Sequence, residues 1–159
     1  MEEYKQPKFI VEMEAKVNEA TTYDKSKSDE HGEVFTPAEL IVEMISQIPD
    51  EVWSDPLKTY FDPCAGKGQF PIQIVKKLMS SLQDFEEDEF KRYKHIVENQ
   101  LFMSEYQKES ADTIREIFEI EGVKINLYNG DTLTMPSDYF ENPNQKQPVT
   151  TDTLWDFKK

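Results

Sequence analysis

Tyr60-Phe61-Asp62-Pro63-Cys64-Ala65-Gly66-Lys67-Gly68-Gln69-Phe70 decides how this chain is read. The stretch reads as a buried strand end, an acid, a tight glycine turn, and an apolar helix that opens at Gln69. Two glycines flanking one residue let the backbone pass close under a ligand, with no Cβ in the way. The helix behind them offers unpaired N–H groups and a positive dipole end. Asp62 is the opposite device, because a carboxylate repels phosphate and suits a cationic or hydroxyl-rich ligand. That acid separates the turn from nucleotide-phosphate loops, and neither GxGxxG nor GxxxxGK[ST] is present.

Outward from the turn, strands alternate with helices. Phe9, Ile10, Met13 and Val17 share one face of a helix running to about Ala20. Residues 21–32 are polar and loop-like. Thr36 then has the pattern of a cap, with Pro37 at the first helical position and Glu39 at the third, for a helix to about Gln47. Strand one covers Thr59 to Phe61, and the helix after it Gln69 to Ser81. A charged helix is expected from Phe85 to Asn99, and strand two from Leu101 to Tyr106. A helix from Lys108 to Glu121, with Gly122 as its C′ residue, leads to strand three from Lys124 to Tyr128. This order means right-handed βαβ units and a parallel sheet, an α/β fold. Ligands on such sheets bind beyond the carboxyl ends of the strands, where Asp62, Glu105 and Asp131 fall. After Thr134 the chain is turn-rich, with a short ordered end at Leu154-Trp155-Asp156-Phe157. The expected division is an N-terminal helix and polar loop (1–31), a ligand-binding domain (32–134) and an irregular tail (135–159).

Composition bounds the function. A chain of 159 residues makes one domain of ordinary size, and a mean hydropathy of -0.72 makes it polar. No apolar run approaches the ~20 residues of a membrane span, and no signal-peptide pattern opens the chain. The single cysteine, Cys64, excludes an internal disulfide framework and fits a reducing, cytoplasmic setting. It reads as a small turn residue rather than a nucleophile. No His or Cys cluster has metal-ligand spacing, and His31 and His95 read as surface residues. With 32 acids against 18 bases, a net charge of -14 argues against a DNA-binding surface on this segment itself.

Asp62 to Phe70 resembles the S-adenosylmethionine-binding motif I of N6-adenine DNA methyltransferases, written DPacGtGgF. Gly32-Glu33-Val34-Phe35-Thr36-Pro37, with the apolar helix from Leu40 to Ile45, is similar to that family's motif X. The likeness is to the branch in type I and type II restriction–modification enzymes and covers roughly residues 30–135. It implies a partial Rossmann-like class I methyltransferase fold: N-terminal helices plus a parallel three-strand half-sheet of order 3-2-1. It also implies S-adenosylmethionine as the cofactor. By this resemblance Glu105 accepts from the ribose hydroxyls, Tyr106 lies against the adenine, and Asp131, with Thr132 beside it, accepts from the adenine amine. Asp62 stands near the methionine ammonium, and Phe35, Thr36 and Pro37 contact the methionine end. Gly66 and Gly68 admit the cofactor to the backbone, and the turn at Cys64, Ala65 and Gly66 meets its polar atoms. Lys67 replaces a small polar residue and receives no role.

The family's catalytic motif IV, [DNS]PP[YFW], is absent. Its nearest string, Asn142-Pro143-Asn144-Gln145, lacks the second proline and the aromatic that stacks on a flipped base. Trp155-Asp156-Phe157-Lys158-Lys159 looks like the approach to the strand that carries the motif, so truncation or a split enzyme is expected. No catalytic residue is assigned. The expectation is the S-adenosylmethionine-binding portion of a DNA N6-adenine methyltransferase of a restriction–modification system, inactive alone. The alternative is a non-catalytic S-adenosylmethionine-binding or acidic interaction protein. DNA is expected to engage only through a missing or separate part, and no membrane is expected as a partner. A bare strand-one edge would invite self-association, a partner chain or cover by the tail.

Overall fold

The computed structural model describes residues 4–22 and 35–141. Most of the polar loop, His31, the Gly32-Glu33-Val34 portion of the motif X likeness, and the end at Leu154 to Phe157 lie outside the described residues.

The N-terminal helix α1 (Lys8–Ala20) buries Ile10, Met13 and Val17, one stripe at helical spacing. Glu14 ties α1 to the helix behind the glycine turn by accepting from Gln73 (2.8 Å) and Lys76 (2.7 Å). Next comes α2 (Ala38–Ile45). Thr36 does not cap it: Pro37 is the N-cap, at φ -57 and ψ 143, with no side-chain cap bond. That extended ψ keeps Pro37 outside the helix, and its carbonyl accepts from Leu40 and Ile41. The same arrangement opens α1 at Pro7 and the short α3 (Asp50–Trp53) at Pro49.

Strand β1 (Tyr60–Asp62) feeds the glycine turn, and α4 (Gln69–Ser81) starts directly after Gly68. Helix α4 is the central helix, buried at Pro71, Ile72, Gln73, Ile74, Val75, Leu78 and Met79. The charged helix is shorter than its sequence suggests. As α5 it spans Glu89–His95, because Asp88 caps it by accepting from the Lys91 amide (2.9 Å). A π-helical turn, Ile96–Gln100, then leads into β2 (Leu101–Glu105). His95 is half-buried rather than a free surface residue: its Nε2 lies 3.0 Å from the Pro56 carbonyl and its ring packs on Phe85. Helix α6 (Lys108–Phe118) ends before Glu121. Glu121 and Gly122, at φ 48 and 81, form a separate turn, so Gly122 is not the residue that stops the helix. Strand β3 (Asn126–Asn129) follows, and a 3₁₀ turn covers Thr132–Thr134.

Both strand pairs are parallel and the order is β1-β2-β3, the half-sheet order expected. In register, Asp62 lies beside Met103 and Met103 beside Leu127, while Phe61 lies beside Phe102. Leu101, Met103 and Leu127 join the core with α1, α4 and α6. The opposite face carries Phe61, which is 46% exposed, and Phe102. Phe140 packs edge-on to both rings, and Tyr139 edge-on to Tyr128. The stretch after Thr134 therefore contributes an aromatic pair to this face, with Tyr139 fully packed at 3% exposure. Among the described residues no helix is long and apolar enough to cross a membrane.

Candidate functional site

The βα turn places a cavity of about 210 Å³ at the carboxyl ends of β1 and β2, between the starts of α4 and α6. Six of the twelve residues singled out in the sequence line it: Phe35, Thr36, Cys64, Ala65, Gly66 and Glu105. Gln69, Phe70, Gln107 and Ser110 complete the wall and were not foreseen. Their only sequence signal is position, at the first turn of the helix behind each strand-end acid.

Glu105 organises this wall. It is 8% exposed, and its two oxygens accept separate backbone amides: Oε2 from Gly66 and Oε1 from Gln107, each at 2.8 Å. One carboxylate thus joins the glycine turn after β1 to the turn after β2. Charge-assisted bonds of this kind are the stronger ones, so the carboxylate is fixed in one orientation beside the cavity. The ladder is carried into the turn by the Ala65 amide, which donates to the Ser104 carbonyl (2.9 Å). Glu105's own carbonyl accepts from the Gly130 amide (3.0 Å) and from Asn129 Nδ2 (2.8 Å).

The remaining six residues lie off the cavity wall. Asp62 folds back on its own turn, where Oδ1 accepts from the Cys64 amide (3.0 Å). Its Oδ2 is buried and has no hydrogen-bond partner among the described residues. Burial raises the Asp62 pKa above the ordinary carboxylate range, and the Cys64 N–H only partly offsets that. Asp131 caps the 3₁₀ turn by accepting from the Leu133 amide (2.9 Å). Thr132 is a stitch: its hydroxyl donates to the Pro63 carbonyl (2.6 Å) and lies 2.6 Å from Ser104 Oγ. Because a threonine has one O–H to give, Ser104 is the donor of that second bond. Pro37 is the N-cap of α2, and Tyr106 stands 65% exposed just past β2.

The two glycines differ in kind. A Cβ on Gly66 (φ +56) would meet nothing within 4 Å. One on Gly68 (φ +99) would come within 2.9 Å of Phe118 Cε2 and 3.6 Å of Val17 Cγ2, in the core. Gly68 therefore seats α4 against α6 and α1, whereas Gly66 presents its amide to Glu105. Between them, Lys67 is half-buried and its Nζ lies over the Phe35 ring, 5.9 Å from the centroid.

Chemically, the cavity pairs one fixed acceptor-only group with an aromatic and hydroxyl rim and a helix N-terminus. Among the described residues of the wall Glu105 is the one carboxylic acid, and there is no lysine or arginine. The sequence model of a protein family described as N-6 DNA Methylase matches residues 20–157. An uncharacterized adenine-specific methylase of Mycoplasma pneumoniae (strain ATCC 29342 / M129 / Subtype 1) is 32% identical over 102 residues. That alignment takes in 57% of this chain and 24% of the relative, so the chain spans about a quarter of that protein's length.

Proposed function

This chain belongs to the N-6 DNA methylase family, and from that premise we propose that its cavity holds S-adenosylmethionine. The observation that carries the reading is Glu105, a carboxylate held by the Gly66 and Gln107 amides at the carboxyl ends of adjacent parallel strands. An ionised carboxylate only accepts, with about four lone-pair sites, which suits the vicinal hydroxyls of a ribose. Phe35 and Thr36 supply an apolar and hydroxyl surface for the opposite, methionine end of the ligand. Ala65 and Gly66 bring backbone to the cavity where a larger residue would intrude. Asp62 lies off this wall, so its buried Oδ2, which has no hydrogen-bond partner among the described residues, would meet the ligand's ammonium only through water.

When bound, the cofactor supplies an electrophilic methyl group. The chain's own residues orient the donor: Glu105 fixes the ribose, and the Phe35–Thr36 edge fixes the amino-acid end. The 159 residues contain no [DNS]PP[YFW] segment to accept from a target amine or stack on a flipped base. In this reading the chain retains the donor and does not by itself transfer the methyl group. With a net charge of -14 it meets DNA only through another part or partner. The edge of β1 that no described strand pairs with is the proposed place for such a partner.

Calorimetric titration with S-adenosylmethionine tests the binding claim. Saturable binding that Glu105→Ala weakens by at least tenfold is expected, and no heat at millimolar ligand would remove the cofactor role. Incubation with labelled cofactor and DNA tests the second claim: no label should enter DNA, and measurable transfer would overturn the argument from the missing motif.

A further inference from the structure

Among the described residues the cavity wall carries one acidic side chain, Glu105, and no lysine or arginine. An amino-acid-bearing nucleoside brings an α-carboxylate into that wall, where the described residues offer it hydroxyl and helix N-terminal N–H groups but no cationic side chain. Lys67, a cation beside this wall, sits between the two positive-φ glycines at the crown of the turn. Its ammonium rests over the face of Phe35, itself part of the wall. Among the described residues no carboxylate forms an ion pair with it. A cation over a phenyl face is held weakly compared with an ammonium hydrogen-bonded to a carboxylate. The lysine stem has four rotatable bonds, so a short swing from the ring suffices to reach an anion at the Phe35–Thr36 end.

We propose that Lys67 is the carboxylate-recognising residue of this cavity, making it selective for nucleosides that carry an amino-acid tail. The inference rests on the reading of the cavity as an S-adenosylmethionine site and adds a determinant of ligand choice to it. Phe35 parks the ammonium at the rim in the free protein. The arriving α-carboxylate then exchanges the aromatic face for a charge-assisted bond, and the vacated ring face remains for the aliphatic part of the ligand. Glu105 and Lys67 would thus read opposite ends of one molecule, its hydroxyls and its carboxylate.

The test titrates the full chain with S-adenosylhomocysteine and with 5′-methylthioadenosine, a nucleoside thioether without the amino-acid end. The wild-type chain should bind the first at least tenfold more tightly. Lys67→Met should weaken S-adenosylhomocysteine about tenfold and leave 5′-methylthioadenosine within twofold. Lys67→Arg should restore most of the difference, and raising the salt should shrink it. Equal weakening of both ligands by Lys67→Met would assign Lys67 to propping Phe35 and overturn the proposal. An unchanged preference in Lys67→Met would overturn it while leaving the cavity assignment standing. If the wild-type chain binds neither compound, the cavity assignment falls and takes Lys67 with it. Circular dichroism of each variant separates a lost contact from a lost fold.

Discussion

Replacing Gly68 by alanine should unfold the domain far more readily than the same change at Gly66, although both glycines have positive φ. At Gly68 the new Cβ lands 2.9 Å from Phe118 Cε2 and 3.4 Å from Cζ. Phe118 is fully buried and cannot swing into solvent. Holding a non-glycine residue in a left-handed conformation costs about 1–2 kcal/mol, and overpacking a core typically adds about 1–3 kcal/mol. Stiffening the unfolded chain returns about 0.4–1 kcal/mol. The net loss at Gly68 is therefore roughly 1–5 kcal/mol, against roughly 0–2 kcal/mol at Gly66, where no atom lies within 4 Å. A domain with roughly 5–15 kcal/mol of stability feels the larger loss as a clear drop in its urea midpoint. The assay is urea denaturation followed by far-ultraviolet circular dichroism, with the slope m checked for constancy. Phe118→Leu in the Gly68→Ala background should relieve the contact, giving a non-additive double-mutant cycle. If the two alanine variants lose the same stability, or the cycle is additive, the assignment of Gly68 to helix packing is wrong.

Two further predictions concern the turn. Asp62 is buried and its folded-state pKa is raised, so the folded chain holds the proton more tightly than the unfolded one. Wild-type stability should therefore fall as pH rises from below the unfolded Asp value of about 3.9 through the raised folded value, then level off. Asp62→Asn should lack that component, visible as a wild-type minus variant difference in urea midpoint that changes with pH in this window alone; a difference flat in pH would refute the assignment. Thr132→Val removes the donor to Pro63 and strands the hydroxyl of Ser104, which is fully buried. It should cost about 1–3 kcal/mol, and Thr132→Ser should recover most of it in thermal melts.

What the sequence made legible is what local chemistry controls. The glycine turn and the start of α4 are readable because Gly68, in the left-handed region, immediately precedes the helix. The parallel sense follows from βα alternation, whereas the strand order comes from the family resemblance and not from the alternation itself. The misread boundaries have local causes that compete with periodicity. Asp88 captures the Lys91 amide and delays α5, although apolar spacing begins at Phe85. Thr36-Pro37-Ala38-Glu39 looks like a capping box, yet the extended ψ of Pro37 starts the helix after the proline. Long-range packing left no local trace at all. Nothing around Tyr139 and Phe140 announces that they meet Tyr128, Phe102 and Phe61 on the sheet. The same limit applies to the site, where Gln107 and Ser110 enter the cavity only because α6 begins beside Glu105.

Glu105 also explains why a three-strand sheet suffices to build this cavity. Its carboxylate ends belong to the turns after β1 and β2, and its carbonyl receives the loop after β3. All three connections therefore converge on one residue, and a fourth strand supplies none of them. Thr132 reinforces the same junction by joining the loop after β3 to Pro63 in the first turn. These hydrogen bonds hold the carboxyl ends of the neighbouring strands in fixed register, as the proposed cofactor site requires. On the proposed reading, presenting a donor to a base calls for a second surface, and the side of β1 away from β2 is its proposed place. The exposed ring of Phe61 lies on that strand. On the proposed reading, the edge of β1 that no described strand covers would divide the holding of a methyl donor in this cavity from its transfer.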